Sequence, residues 1–156
     1  GPEPISRDFP EGLRGYFPSG RDVVQPHELD VLGHATLHEY IRRFSAANMH
    51  ILTAVGFDAE YIRSQRRGVS TFELDVRCLH ELTVGDPVCV ESTFGEVGRS
   101  SFRLVHRLKN VRSGHVMAMM SQYSVNLDLD TRRPVALPKT IRNSALSIIS
   151  SRSSVE

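Results

Sequence analysis

The shortages in this chain are its first guide. Only two of 156 residues are cysteine, Cys78 and Cys89. They fall in different predicted strands, with no C-x-x-C pair and no histidine at metal spacing, which argues against a disulfide scaffold or a zinc motif and reads as two buried, reduced thiols. Excess charge is also scarce, with 19 Lys+Arg against 18 Asp+Glu and a net charge of +1. A chain so balanced lacks the basic field that draws a protein to nucleic acid. Arginine supplies 17 of the 19 basic residues and is spread from Arg7 to Arg152 without a dense block, as on a solvated surface. No apolar run approaches the ~18 residues that would span a membrane. Residues 1–10 carry prolines and charges where a secretory signal needs an apolar core. The expectation is a cytoplasmic protein with neither a nucleic-acid nor a membrane partner. Gly1-Pro2 reads as a tag remnant.

What remains is one ordinary domain, since chains of roughly 100–150 residues form single cores. Residues 1–19 read as an irregular arm, 20–149 as the domain and 150–156 as a flexible tail. A short strand is predicted near Val23 and Val24. The clearest helix runs from Thr36 to Val55. There Tyr40, Ile41, Phe44, Ala47, Ile51, Leu52 and Val55 form one apolar stripe at period 3.6. Thr36 and Glu39 are spaced for a capping box, and Gly56 suits a left-handed stop. Asp58 is placed to cap a short second helix. From Gly68 the period becomes two: Phe72, Leu74, Val76 and Cys78; then Val88, Val90, Ser92 and Phe94; then Phe102, Leu104, His106 and Leu108. A last strand covers His115 to Leu127, and residues 137–149 suggest a terminal helix. This order predicts an α+β fold, a curved antiparallel sheet wrapped around one long central helix, with open edges that favour a dimer.

Chemistry concentrates in His27-Glu28-Leu29-Asp30-Val31-Leu32-Gly33-His34, which runs straight into that helix. Acid and base groups gather where free amide hydrogens and the helix dipole favour negative charge. A carboxylate there suits activation of a nucleophile or water beside an oxyanion site. By spacing alone Asp30 is more often a turn or surface acid and Gly33 a simple turn residue, and His34 is equally open to a solvated loop role.

The segment Asp30-Val31-Leu32-Gly33-His34, with Tyr40 ten residues after Asp30, resembles the Asp-x-x-Gly-His…Tyr segment of the hotdog-fold acyl-CoA thioesterases, in the 4-hydroxybenzoyl-CoA thioesterase-like branch. Gly68-Val69-Ser70-Thr71-Phe72, Leu82-Thr83-Val84-Gly85-Asp86-Pro87-Val88 and the exit segment Asn126–Pro138 are similar to the corresponding pieces, so the resemblance spans roughly residues 20–145. It departs at Glu28, where many relatives carry Asp, and at Leu37, where some carry His.

The resemblance implies hydrolysis of an acyl-CoA with no metal or organic cofactor, in a homodimer or a dimer of dimers. Asp30 would be nucleophile or general base, and His34 would orient it. Glu28, Gly33, Leu37, Tyr40, Ser70 and Thr71 would bind substrate, the Leu37 amide standing near the oxyanion. Asp30 is thus expected to lie beside unpaired backbone donors, facing a buried crevice. Arg99, Arg103, Arg132 and Arg133 are candidates for the phosphates of coenzyme A, and polar residues such as Glu28, His38 and Glu73 suggest a small or polar acyl group. A hotdog enoyl-thioester hydratase or dehydratase and a non-catalytic acyl-CoA-binding domain are the alternatives.

Overall fold

A computed structural model describes residues 16–30 and 36–153. Strand β1 (Phe17–Val23) and a 3-10 turn (Pro26–Glu28) lead to helix α1 (Leu37–Ala54) and helix α2 (Ala59–Gln65). Strands β2 (Arg67–Cys78), β3 (Pro87–Val97), β4 (Ser101–Asn110) and β5 (Val116–Asp128) follow, and helix α3 (Lys139–Ser153) ends the described chain. All strand pairs are antiparallel, in the order β1-β3-β4-β5-β2. β3, β4 and β5 form a meander, whereas β2 crosses over to the far edge beside β5. With α1 packed against one face, this is the hotdog fold.

The apolar stripe explains the packing. Phe44, Ala47 and Ile51 are fully buried and Tyr40 nearly so. One end of α1 packs with Leu82, Val88, Leu108 and Met120, and the other with Phe94, Phe102, Leu104 and Ile141. Each fully buried Ile, Leu or Phe contributes about 1.5–3 kcal/mol, enough to hold the helix on the sheet. α1 stops as expected. Gly56 takes φ +96°, the Gly56 amide donates to the Thr53 carbonyl at 3.1 Å and the Phe57 amide to the Leu52 carbonyl at 2.9 Å, which is the paired closure that a left-handed residue permits. Asp58 caps α2, its carboxylate accepting from the Tyr61 amide at 2.9 Å.

Several expectations are corrected. β1 begins at Phe17, so the strand takes residues assigned to the arm; Pro18 is tolerated because β1 is an edge strand. α3 continues to Ser153 rather than ending before a loose tail at 150. The two thiols are free but not both buried: Cys78 is exposed on edge strand β2 and Cys89 is half-buried. The period-2 reading of β2 also slips. The register shifts between Thr71 and Glu73, and Phe72 stands 65% exposed, with Leu74 54% exposed. Among the described residues, the edge that carries them has no neighbouring strand.

Candidate active site

The loop ahead of α1 is anchored by a buried ion pair. Glu28 is 2% exposed. Its Oε2 accepts from the Gln25 amide at 2.6 Å, and its Oε1 lies 2.6 Å from Arg43 Nη2 and 3.4 Å from Arg42 Nη2. Arg43, itself buried on α1, also donates from Nε to both Asp22 oxygens at 3.2 Å. Burial pushes the Glu28 carboxyl up, but the Gln25 amide and the Arg43 charge outweigh it and hold it below its ordinary value. Glu28 therefore staples the loop to the middle of the helix. Its carboxylate, expected in a pocket, is committed to two guanidinium groups and an amide.

A second tie closes the loop, since the Thr36 amide donates to the Glu28 carbonyl at 3.2 Å. Asp30 lies inside this closure, two residues from the anchor. Gly33 and His34 fall outside the described residues. The expected capping box does not form. Thr36 occupies the cap position, but its side chain makes no capping bond, and Glu39 instead accepts from Arg42 Nε at 2.9 Å. The amides of Leu37 and His38 consequently have no hydrogen-bond partner among the described residues, while the Glu39 amide donates to the Thr36 carbonyl at 3.0 Å. Amides in the first turn of a helix lack intrahelical acceptors and can receive a developing oxyanion.

The other candidates separate into distinct places. Leu37, first in the helix, is 56% exposed, and His38 is exposed. Tyr40 is 4% exposed within the core; burial raises its pKa, and its hydroxyl meets the Leu82 backbone, so it supports the wall. Ser70 and Thr71 sit on β2, half-buried and exposed respectively. Glu73 is tied to Arg103 at 3.1 Å; that arginine also reaches Glu96 and lies 5.4 Å from the Tyr123 ring centre, so it is committed locally.

The expected crevice is corrected. Asp30 is exposed in the single chain. A cleft of about 120 Å³ does occur between α1 and strands β1 and β3, lined by Ser19, Asp22, Arg42, Arg43 and His50 among others, but neither Asp30 nor Thr71 lines it. Among the described residues no group of three or more His, Cys, Asp or Glu is placed to hold a metal, and no helix is long and apolar enough to cross a membrane.

Residues 24–144 match the sequence profile of the Thioesterase-like superfamily. The chain belongs to the thioesterase-like superfamily. That membership places it among thioester hydrolases. No curated protein matches it. Solved structures share the fold at low identity. The Staphylococcus aureus protein SAV2348, solved in complex with CoA, superposes with a TM-score of 0.81 at 17% identity over 90% of this chain and 87% of that one. The 1,4-dihydroxy-2-naphthoyl-CoA thioesterase Slr0204 of Synechocystis gives 0.71 at 15% identity, over 81% and 93%. The DHNA-CoA thioesterase of Staphylococcus aureus gives 0.73 at 15% identity, over 88% and 93%.

One feature of this thioesterase-like protein was missed by sequence reasoning. Beneath α1, polar side chains join across the sheet. Ser19 Oγ lies 2.7 Å from Ser92 Oγ, which lies 2.6 Å from His106 Nδ1. His106 Nε2 is 2.5 Å from Asn48 Oδ1, and Asn48 Nδ2 donates to Gln122 Oε1 at 2.9 Å. Gln122 Nε2 donates to Ser124 Oγ at 3.1 Å, and Ser124 Oγ lies 3.3 Å from Thr71 Oγ1. The signal was present: Asn48 sits on the apolar stripe, and Ser92 and His106 occupy inward positions of their strands. A polar residue in an apolar register needs a partner.

His106 is fully buried, and desolvation lowers its pKa from 6.5 to about 3. Below pH 6.5 the unfolded chain takes up a proton there that the folded chain does not. Stability is therefore expected to fall from pH 6.5 toward 3, by at most about 1.4 kcal/mol per pH unit from this group. Denaturant titrations at several pH values check this: the His106→Gln variant is expected to lack that part of the slope.

Proposed function

We propose that the protein hydrolyses an acyl-CoA carrying a small or polar acyl group to the free acid and coenzyme A. Asp30 acts as nucleophile or as general base for water. In the general-base form, water gives a proton to Asp30 while its oxygen bonds the thioester carbon. The carbonyl oxygen becomes an oxyanion that accepts from the Leu37 and His38 amides. The C–S bond then breaks, and the thiolate of coenzyme A takes up the proton. In the nucleophile form, Asp30 displaces the thiolate and water hydrolyses the resulting anhydride.

What supports this reading is the loop itself, which carries Asp30 and is pinned by Glu28 just ahead of the start of α1, in a member of the thioesterase-like superfamily. The working unit is a homodimer, alone or paired into a tetramer, joined along β2. Val69, Phe72 and Leu74 expose apolar surface there, beside Ser70 and Thr71. A partner on that edge would cover this surface and supply the missing wall of the crevice.

A panel of acyl-CoAs with detection of the released thiol tests the activity. Turnover is expected on small or polar acyl groups, and a panel without turnover would refute the proposal. Phe72→Lys is expected to yield monomers by light scattering and to lose activity with them. A fully active monomer would contradict the dimeric site.

A further inference from the structure

The buried polar chain has a direction. Asn48 Nδ2 donates to Gln122, so Asn48 Oδ1 is the atom facing His106 Nε2. An amide oxygen only accepts, so His106 carries its hydrogen on Nε2. His106 Nδ1 is then an acceptor and takes the hydrogen of the Ser92 hydroxyl. Ser92 has no second hydrogen, so the 2.7 Å contact is filled by the Ser19 hydroxyl. Beyond Asn48 the order continues, since Gln122 accepts through Oε1 and donates through Nε2 to Ser124.

Ser124 is fully buried. A buried hydroxyl whose hydrogen finds no acceptor costs about 1–3 kcal/mol. Ser124 already accepts from Gln122, so its hydrogen goes to its other neighbour, Thr71 Oγ1. Thr71 is the one exposed member of this network, so its own hydrogen is free for a partner outside it. Every strand takes part, from β1 to β2, with α1 supplying the central link.

From this directionality we infer that Thr71 is preset as a hydrogen-bond donor to a carbonyl oxygen of the bound thioester, and that Ser92, His106, Asn48, Gln122 and Ser124 are its positioning residues. The inference rests on the proposed thioesterase reading. The register shift just after Thr71 fits this role, because a bulge re-aims the side chains around it. The proximal links fix the tautomer, and the distal links fix which hydroxyl gives its hydrogen to which.

The direction is tested without any variant or substrate. Side-chain nitrogen NMR of the intact protein is expected to show His106 neutral and protonated on Nε2 from pH 5 to 8. Protonation on Nδ1 would overturn the inference, because the chain would then run toward Ser19 and the Phe17 carbonyl, with Thr71 donating inward. In kinetics, Thr71→Val is expected to lower kcat/KM about 10²-fold, the loss usual for one donor to a reacting oxygen, and Thr71→Ser to restore most of it. Gln122→Glu supplies a readout that packing alone would not move. Once ionised, its carboxylate only accepts, so Ser124 turns back and Thr71 turns inward. The variant's kcat/KM is expected to recover as pH falls and the carboxyl regains its proton. Wild-type kcat/KM in Thr71→Val, or a pH profile in Gln122→Glu parallel to that of the wild type, would overturn the role of Thr71. A wild-type protein inactive on every acyl-CoA would instead overturn the thioesterase reading and the thioester role of Thr71 with it, while the His106 tautomer would still decide the direction.

Discussion

Asp30→Asn is expected to fold as the wild type does and to lower kcat/KM for acyl-CoA hydrolysis by about 10²–10⁴-fold, the share that a positioned acid–base group supplies. The change keeps shape and removes charge and basicity. Stability is spared because Asp30 is exposed, and exposed substitutions usually fall within about 0.5 kcal/mol. Two of the ties that hold the loop, Glu28 to Arg43 and the Thr36 amide to the Glu28 carbonyl, do not use the Asp30 side chain. A companion variant separates the base from the oxyanion donors. Leu37 is the first helical residue, where proline is tolerated because the amide has no intrahelical partner. Thr36 before it already lies at φ −73°, ψ 151°, the region that precedes proline readily. Leu37→Pro therefore deletes one amide donor with little strain and is expected to cost about 10²–10³ in kcat. Thermal unfolding alongside the kinetics checks both. Near-wild-type turnover in Asp30→Asn would remove this residue from the chemistry.

The helix, its stop at Gly56 and the cap at Asp58 were legible in the sequence because each is a local signal: period, backbone freedom or a side chain reaching a nearby amide. The order of strands was less so. The pairing of β2 with β5 joins residues such as Ser70 and Val125, far apart in sequence, and no local pattern records which edge a strand takes. Phe72 and Leu74 carried the alternation of buried strand residues, yet the register shift and the open edge leave them exposed. The Asp30 assignment rests on resemblance; spacing alone favours a turn or surface role. Glu28 reads as a pocket residue in the sequence because its partner is distant in the chain. Arg43 lies three residues after Tyr40 and four before Ala47, on the apolar stripe itself. A cation at that spacing has to be buried with a carboxylate, and that was the signal for the anchor.

That anchor sets the second large effect. Arg43→Met is expected to destabilise the protein by about 3–5 kcal/mol, because it leaves the Glu28 charge buried with its main partner gone. The side chains of Arg43 and Glu28 are only 4% and 1% exposed, so solvent screens little of this loss. Domains are stable by about 5–15 kcal/mol in all, so the loss is a large share of the total. At about 2–4 °C per kcal/mol for a chain of this size, it amounts to a Tm lower by about 6–20 °C. The double variant Glu28→Leu/Arg43→Met is expected to recover part of it, since removing both charges also removes the cost of burying either. Acidity acts on the same pair. Glu28 ionises below its ordinary 4.5 in the folded chain, so its contribution is full above that pH and disappears as pH falls through the lowered value. The acid limb of a stability profile is therefore expected to flatten when the pair is removed together. A double variant no more stable than Arg43→Met alone would show that the pair fixes geometry that apolar packing cannot replace. Activity in that double variant then reports on the loop: turnover falling further than stability would mean that the staple, beyond holding the fold, sets where Asp30 stands.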